Sequence, residues 1–238
     1  MARPGASRRD KGCAVAGVWL TEIPPRMMND ATPCFNALAA DSRWHAFTPA
    51  ERRTVSRFVR RWGIKRGDRV LEPGCGAGRL TAVLARLTGP AGRVVAFDSS
   101  RNFIRVAEQR GLPAQVRLHL ARAQTFPLPP AEFDHILCFN VFPHLTPQAA
   151  VTRRLVAALK PGGVFWIAHT CSRNFVNGVH RGGPPSIRDH QLPAPAALTR
   201  QLRAAGLTGI EIEDAAGHFL ARAVRPGQLK TPPVSRHA

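Results

Sequence analysis

Val70-Leu71-Glu72-Pro73-Gly74-Cys75-Gly76-Ala77-Gly78-Arg79-Leu80-Thr81 decides the reading of this chain. A short apolar run ends in an acid, three glycines follow at alternate positions, and Leu80, Val83, Leu84 and Leu87 then share one helical face. The pattern predicts strand, tight turn and helix. Alternate glycines let the backbone take positive φ and let a ligand lie against the main chain. The spacing is G-x-G-x-G rather than the G-x-G-x-x-G of dinucleotide sites, so the loop does not argue for a nicotinamide cofactor. An acid at the strand end repels phosphate and suits a cationic amine or sulfonium.

Outward from that loop the same logic repeats. Arg93 to Asp98 reads as a buried strand tipped by an acid, and a carboxylate there can accept hydrogen bonds from both hydroxyls of a ribose. Gln115 to Leu120 alternates as a third strand. Phe133 to Asn140 is near-continuously apolar, as a central parallel strand should be. A helix over Pro147 to Leu159 stops at Lys160-Pro161-Gly162-Gly163 and feeds a fifth strand, Val164 to His169. A helix from Pro195 to Ala205 precedes Ile210–Asp214 and His218–Val224, two strands joined by a tight turn, so the last is antiparallel. Upstream, Thr48-Pro49-Ala50-Glu51 has the form of a capped helix start, with Val55, Phe58, Val59 and Trp62 in phase before Gly63.

With these motifs in order, residues 34 to 224 resemble the class I S-adenosylmethionine-dependent methyltransferases, Leu71 to Gly78 looking like their first motif. The resemblance implies an α/β fold: a seven-stranded, mostly parallel, doubly wound sheet with an antiparallel final strand and an N-terminal helical lid. It implies S-adenosyl-L-methionine as cofactor. Glu72, Gly74, Gly76 and Gly78 would hold its methionine portion, Asp98 and Ser99 its ribose, and Ala123 and Gln124 its base, with Asn140 beside the transferring methyl. One departure stands out. Many relatives carry an acid before the alanine of the adenine loop, and this chain carries Arg122.

Loops leaving the carboxyl ends of strands build the site in an open parallel sheet, which brings the stretch after His169 to the methyl donor. His169 is the first candidate base and His144 the second, since imidazole titrates near working pH. Arg173 and Asn177, one turn apart if helical, with His180, are candidate acceptor ligands, the first two suited to a carboxylate or phosphate. His169, Cys171, His180 and His190 read alternatively as a soft-metal set, but their spacing matches no closed zinc motif, and no metal is expected.

Composition bounds the rest. At 238 residues the chain suits one domain. The expected organisation is a basic, disordered leader over 1–32, a domain over 33–224 with a helical extension 33–64 and a substrate-side insertion 170–193, and a loose tail over 225–238. No apolar run approaches the ~18 residues of a membrane span. Five cysteines without a C-x-x-C pair fit a reducing cytoplasm. The net charge of +19 should draw anions, nucleic acid first among them. Because nearly all of it is dispersed arginine, in a chain rich in alanine and proline, compositional bias explains it more simply. The expected function is methyl transfer to a small molecule. The alternatives are an RNA or protein methyltransferase using the arginine-rich surface, and a non-catalytic cofactor-binding module.

Overall fold

The computed structural model describes residues 30–227. Its element order is α1 (Thr32–Leu38), a 3-10 turn (Ser42–Trp44), α2 (Pro49–Trp62), β1 (Arg69–Pro73), α3 (Arg79–Thr88), β2 (Arg93–Asp98), α4 (Arg101–Glu108), β3 (Val116–Leu120) and β4 (Phe133–Phe139). A 3-10 turn (Phe142–His144), α5 (Gln148–Ala158), β5 (Leu159–His169), α6 (Arg173–Arg181), α7 (Pro185–Arg188), α8 (Pro195–Ala204), β6 (Thr208–Ala215) and β7 (His218–Val224) complete it. The strands form one sheet in the order β3-β2-β1-β4-β5-β7-β6. All neighbouring pairs are parallel except those made by β7, which is antiparallel to both β5 and β6. This is the predicted seven-stranded, doubly wound sheet.

Alternation along each strand supplies both faces. Ile136 and Cys138 of β4 enter one core with Leu71, Phe165, Ile167 and Phe219, while Leu137 and Phe139 enter the other with Val70, Trp166 and Leu220. A strand covered on both sides cannot carry a polar face, so β4 reads as a continuous apolar run. Helices α5 and α8 cover the first face through Val151, Leu155, Leu198 and Leu202. Helices α2 and α3 cover the second through Val55, Phe58, Trp62, Leu80 and Leu84. Fully burying a side chain such as Phe58 contributes roughly 1.5–3 kcal/mol.

The start of α2 is set as expected. Thr48 Oγ1 accepts from the Glu51 N–H (3.2 Å), and Glu51 Oε2 accepts from the Thr48 N–H (2.8 Å). The helix ends at Gly63 in the left-handed region, φ 64°. Thr48→Ala should lower stability by about 1 kcal/mol, read from the urea midpoint at constant m.

The body of α2 packs on the sheet, and the element over the strand ends is α1, whose Cys34 and Leu38 meet Ala77 and Phe103. Within the expected helical extension 33–64, the element over the strand ends is thus the shorter first helix. Asp30, Ala31 and Thr32, expected in the leader, line the central cavity; residues 1–29 of that leader lie outside the described residues. Arg225, assigned to the tail, continues the fold. Its N–H donates to the Gly163 carbonyl (2.9 Å), its carbonyl accepts from Gly162 N–H (2.8 Å), and its guanidinium holds the carbonyls at the end of α5. Residues 228–238 lie outside the described residues. Among the described residues, no helix is long and apolar enough to cross a membrane.

Candidate active site

The carboxyl ends of β1, β2, β4 and β5 open on one cavity of about 230 Å³ at the point where strand order reverses between β1 and β4, the place where open α/β sheets bind ligands. The glycine loop forms its floor. Gly74 N–H and Cys75 N–H both donate to the Phe97 carbonyl (2.7 and 3.0 Å), which ties the loop to β2. Gly74 has φ 69°, and a Cβ there would lie 2.2 Å from Val141 Cγ2. Gly76 has φ 52° and open space where its Cβ would stand. One glycine permits close packing, and the other leaves a cradle above the backbone.

Both strand-tip carboxylates line this hollow. Asp98 Oδ2 accepts from Gly76 N–H (2.9 Å) and Oδ1 from Ser100 N–H (2.8 Å), so Asp98 also fixes the loop. Burial raises its carboxyl, and those backbone donors oppose the rise. Glu72 Oε2 accepts from Thr81 Oγ1 (2.6 Å). Burial pushes the Glu72 carboxyl up to about 8; the Thr81 hydroxyl pulls it down, the Asp98 charge pushes it up and Arg79 pulls it down. The folded chain thus keeps a proton that the unfolded chain loses above its ordinary value of 4.5. The associated stability is present below that value and declines as pH rises toward about 8. Glu72→Gln should flatten this decline, measured as urea midpoints across the same interval.

The roof is held by polar clamps. Arg122 pairs with Asp30 (2.6 Å), Ser100 Oγ donates to Asn36 Oδ1 of α1 (2.7 Å), and Asn102 Nδ2 donates to the Asn36 carbonyl (3.0 Å). Arg79, at the first position of α3, lines the cavity, pairs with Glu51 (3.4 Å) and lies 4.6 Å from the Phe47 ring centroid. It was missed from sequence, although a cation at a helix N-terminus opposes the macrodipole and so advertises an anionic partner.

The far wall comes from residues 139–146 and 169–190. Asn140 takes φ 52° and clamps two strand ends. Its Nδ2 donates to Thr170 Oγ1 (3.2 Å), and its Oδ1 accepts from Thr170 N–H (3.0 Å). His144, His169, His180 and His190 all line the cavity. His144 Nδ1 and His190 Nδ1 are 3.0 Å apart, and His180 Nδ1 bonds the His190 carbonyl. Burial pushes His169 down to about 3, with His180 adding to the shift, and lowers the other three below the usual imidazole range. The four rings are neutral near pH 7.

Of the sequence-predicted residues, Glu72, Gly74, Gly76, Asp98, Ser99, Ala123, Gln124, Asn140, His144, His169 and His180 surround this one cavity. Three do not. Gly78 caps α3 beneath Ala107. Arg173 turns outward to Asp214 (2.8 Å). Asn177 is occupied by the Leu192 backbone, donating to its carbonyl (3.0 Å) and accepting from its N–H (2.8 Å), and so braces the insertion instead of meeting an acceptor. The structure thus does not bring Arg173 and Asn177 to the cavity as a pair. Among the described residues, no three His, Cys, Asp or Glu side chains are grouped to hold a metal ion.

Residues 70–163, which include the glycine floor, match the family described as "Methyltransferase domain". That segment is similar to a methyltransferase domain. Methyltransferase GfsG of Streptomyces halstedii is 33% identical over 134 residues, 55% of this chain and 48% of that protein. The ubiquinone/menaquinone biosynthesis C-methyltransferase UbiE of Pseudomonas putida is 32% identical over 105 residues, 42% of this chain and 41% of its own. The chain thus matches about half the length of these curated relatives or less. Two solved structures share the fold of this chain. The methyltransferase in complex with the Haloferax volcanii Trm112 methyltransferase activator is 21% identical, with TM-score 0.68, over 81% of this chain and 97% of that one. A SAM-dependent methyltransferase from Aquifex aeolicus is 22% identical, with TM-score 0.59, over 82% and 98%.

The second of these structures is of a SAM-dependent methyltransferase, and the glycine corner of this chain fits S-adenosyl-L-methionine on its own geometry. The cradle over Gly76 admits a ligand against the main chain, and two buried carboxyl groups, neither of them ion-paired among the described residues, flank it. A ligand carrying both a cation and a vicinal diol satisfies that pair.

Proposed function

We propose that the chain is an S-adenosylmethionine-dependent methyltransferase acting on a small molecule. One observation carries the reading: a single cavity has the carboxylate-flanked glycine corner at one end and, at the other, an uncharged wall formed partly by residues 170–190. When bound, S-adenosyl-L-methionine supplies a methyl group on a sulfonium. The residues of the chain hold and orient. Glu72 faces the cationic methionyl portion, Asp98 accepts from the ribose hydroxyls, Ser99 and Ala123 border the nucleoside, and Gln124, whose Nε2 donates to the Thr146 carbonyl, offers its amide oxygen to the base. Asn140 fixes the corner between cofactor and acceptor. His169 carries a buried Nε2 with no hydrogen-bond partner and stands on the acceptor wall. An imidazole held neutral there orients an acceptor without competing as a cation, and alignment at roughly 3 Å supplies most of the rate in such displacements. His144, linked through His190, is the second candidate for that role.

A second reading, methylation of RNA or protein, rests on the solvent face of α2, where Arg52, Arg53, Arg57, Arg60 and Arg61 are all exposed. A non-catalytic module is the third. Transfer of labelled methyl from S-adenosyl-L-methionine into cell extract, fractionated into metabolites, RNA and protein, tests all three. Label in the metabolite fraction is the expected result. Label confined to a macromolecule, or no label, overturns the small-molecule reading.

A further inference from the structure

Accepting the methyltransferase reading above, the chemistry of the acceptor wall narrows what it can receive. The wall segments 139–146 and 169–190 contribute no Lys, Arg, Asp or Glu side chain to the cavity. A carboxylate or phosphate acceptor would meet no cation on this wall, and an ammonium acceptor no carboxylate; the cavity's guanidiniums, Arg79 and Arg122, are already paired with Glu51 and Asp30. Desolvating either without a partner costs several kcal/mol.

What the wall does offer is imidazole nitrogen, and one tautomer can be deduced. A carbonyl oxygen only accepts, so the bond between His180 Nδ1 and the His190 carbonyl puts the hydrogen of neutral His180 on Nδ1. Its Nε2 is then a bare lone pair on a ring that lines the cavity. The ring's one hydrogen bond among the described residues is made by Nδ1, and His169 presents a buried, unpartnered Nε2 on the same cavity. Burial keeps both rings neutral. Phe35 meets His144 edge-on at 4.9 Å, and Phe139 and Val176 add apolar surface.

We propose that the acceptor subsite takes an uncharged hydroxyl compound with an apolar, ring-like body, whose O–H donates to His180 Nε2. The segment that folds as α6 and α7 is thereby a specificity element, and it selects by the tautomer its own backbone imposes.

Calorimetry on the full chain saturated with S-adenosylhomocysteine tests this without turnover. The probes are 2-naphthol, 2-methoxynaphthalene, 2-naphthoate and 2-naphthylmethylammonium, which share a body and differ in charge and donor. The naphthol should bind at least about tenfold more tightly than each of the others, the worth of one hydrogen bond in apolar surroundings. His180→Asn keeps an N–H for the His190 carbonyl and replaces the ring's far nitrogen with an amide oxygen one bond nearer the main chain, withdrawn from the hydroxyl. It should abolish the preference for naphthol over its methyl ether and leave S-adenosylhomocysteine affinity within about twofold. Tighter binding of the naphthoate or the ammonium, a preference that survives in His180→Asn, or no heat with naphthol on a saturated chain overturns the inference and leaves the cofactor reading standing. Failure of S-adenosylhomocysteine itself to bind overturns the cofactor reading, and the inference with it.

Discussion

Asp98→Ala should weaken S-adenosylhomocysteine binding by at least about tenfold, and by about a hundredfold if both of its tasks count. The first task is direct, since a carboxylate that accepts from ribose hydroxyls makes charge-assisted bonds worth roughly 1.5–3 kcal/mol each. The second task is to hold Gly76 N–H and Ser100 N–H, which sets the loop the cofactor lies on. Asp98→Asn separates the two. Its one amide oxygen can keep a single backbone donor, while its NH₂ group faces the other, so the loop should loosen even though the shape is retained. Titration calorimetry reads the affinity and thermal melting reads the fold. Wild-type affinity in Asp98→Ala would remove the ribose from the tip of β2.

The glycine floor makes a sharper contrast. In Gly74→Ala the new Cβ would lie 2.2 Å from Val141 Cγ2 at a backbone φ of 69°. Val141 follows Asn140, itself held at φ 52° by its two bonds to Thr170, so the corner has little freedom to retreat. A loss of about 2–4 kcal/mol in stability is expected, combining overpacking with left-handed strain. Gly76→Ala meets nothing within 4 Å. It should cost only about 1 kcal/mol of stability, from the φ of 52°, yet lower cofactor affinity by an order of magnitude or more, because the methyl group occupies the cradle. Equal damage to stability and affinity in both variants would show that the loop is only a turn.

The features readable from the chain were the ones whose cause is local. A glycine needing positive φ, a Thr48–Glu51 capping box and an apolar run buried on both faces each carry their signature within a dozen residues. Glu72 and Asp98 were legible because a strand tip next to a glycine turn has one destination in this topology. Arg173 and Asn177 were misplaced because their facing depends on how α6 rolls against the segment ending at Leu192, a long-range choice that helical spacing does not encode. Which helix of the extension 33–64 lies over the cavity was not legible for a similar reason. Helix α2 has the stronger amphipathic pattern, and that same pattern drives it onto the sheet and leaves α1, with fewer apolar residues, above the cavity. The His180 tautomer was beyond sequence altogether, since it follows from a carbonyl ten residues away.

One consequence of the strand order concerns biosynthesis. Strand β7 leaves the ribosome after β6 yet lies inside it, between β6 and β5, so the inner edge of the parallel half stays bare until β7 arrives. The interval from His169 to His218 is about fifty residues, or a few seconds at roughly 5–20 residues per second. During that time Trp166 and Ile167 sit on an unpaired template of the kind that recruits foreign strands. Nascent chains arrested between α8 and β7 should therefore be the most chaperone-dependent species in the life of this protein.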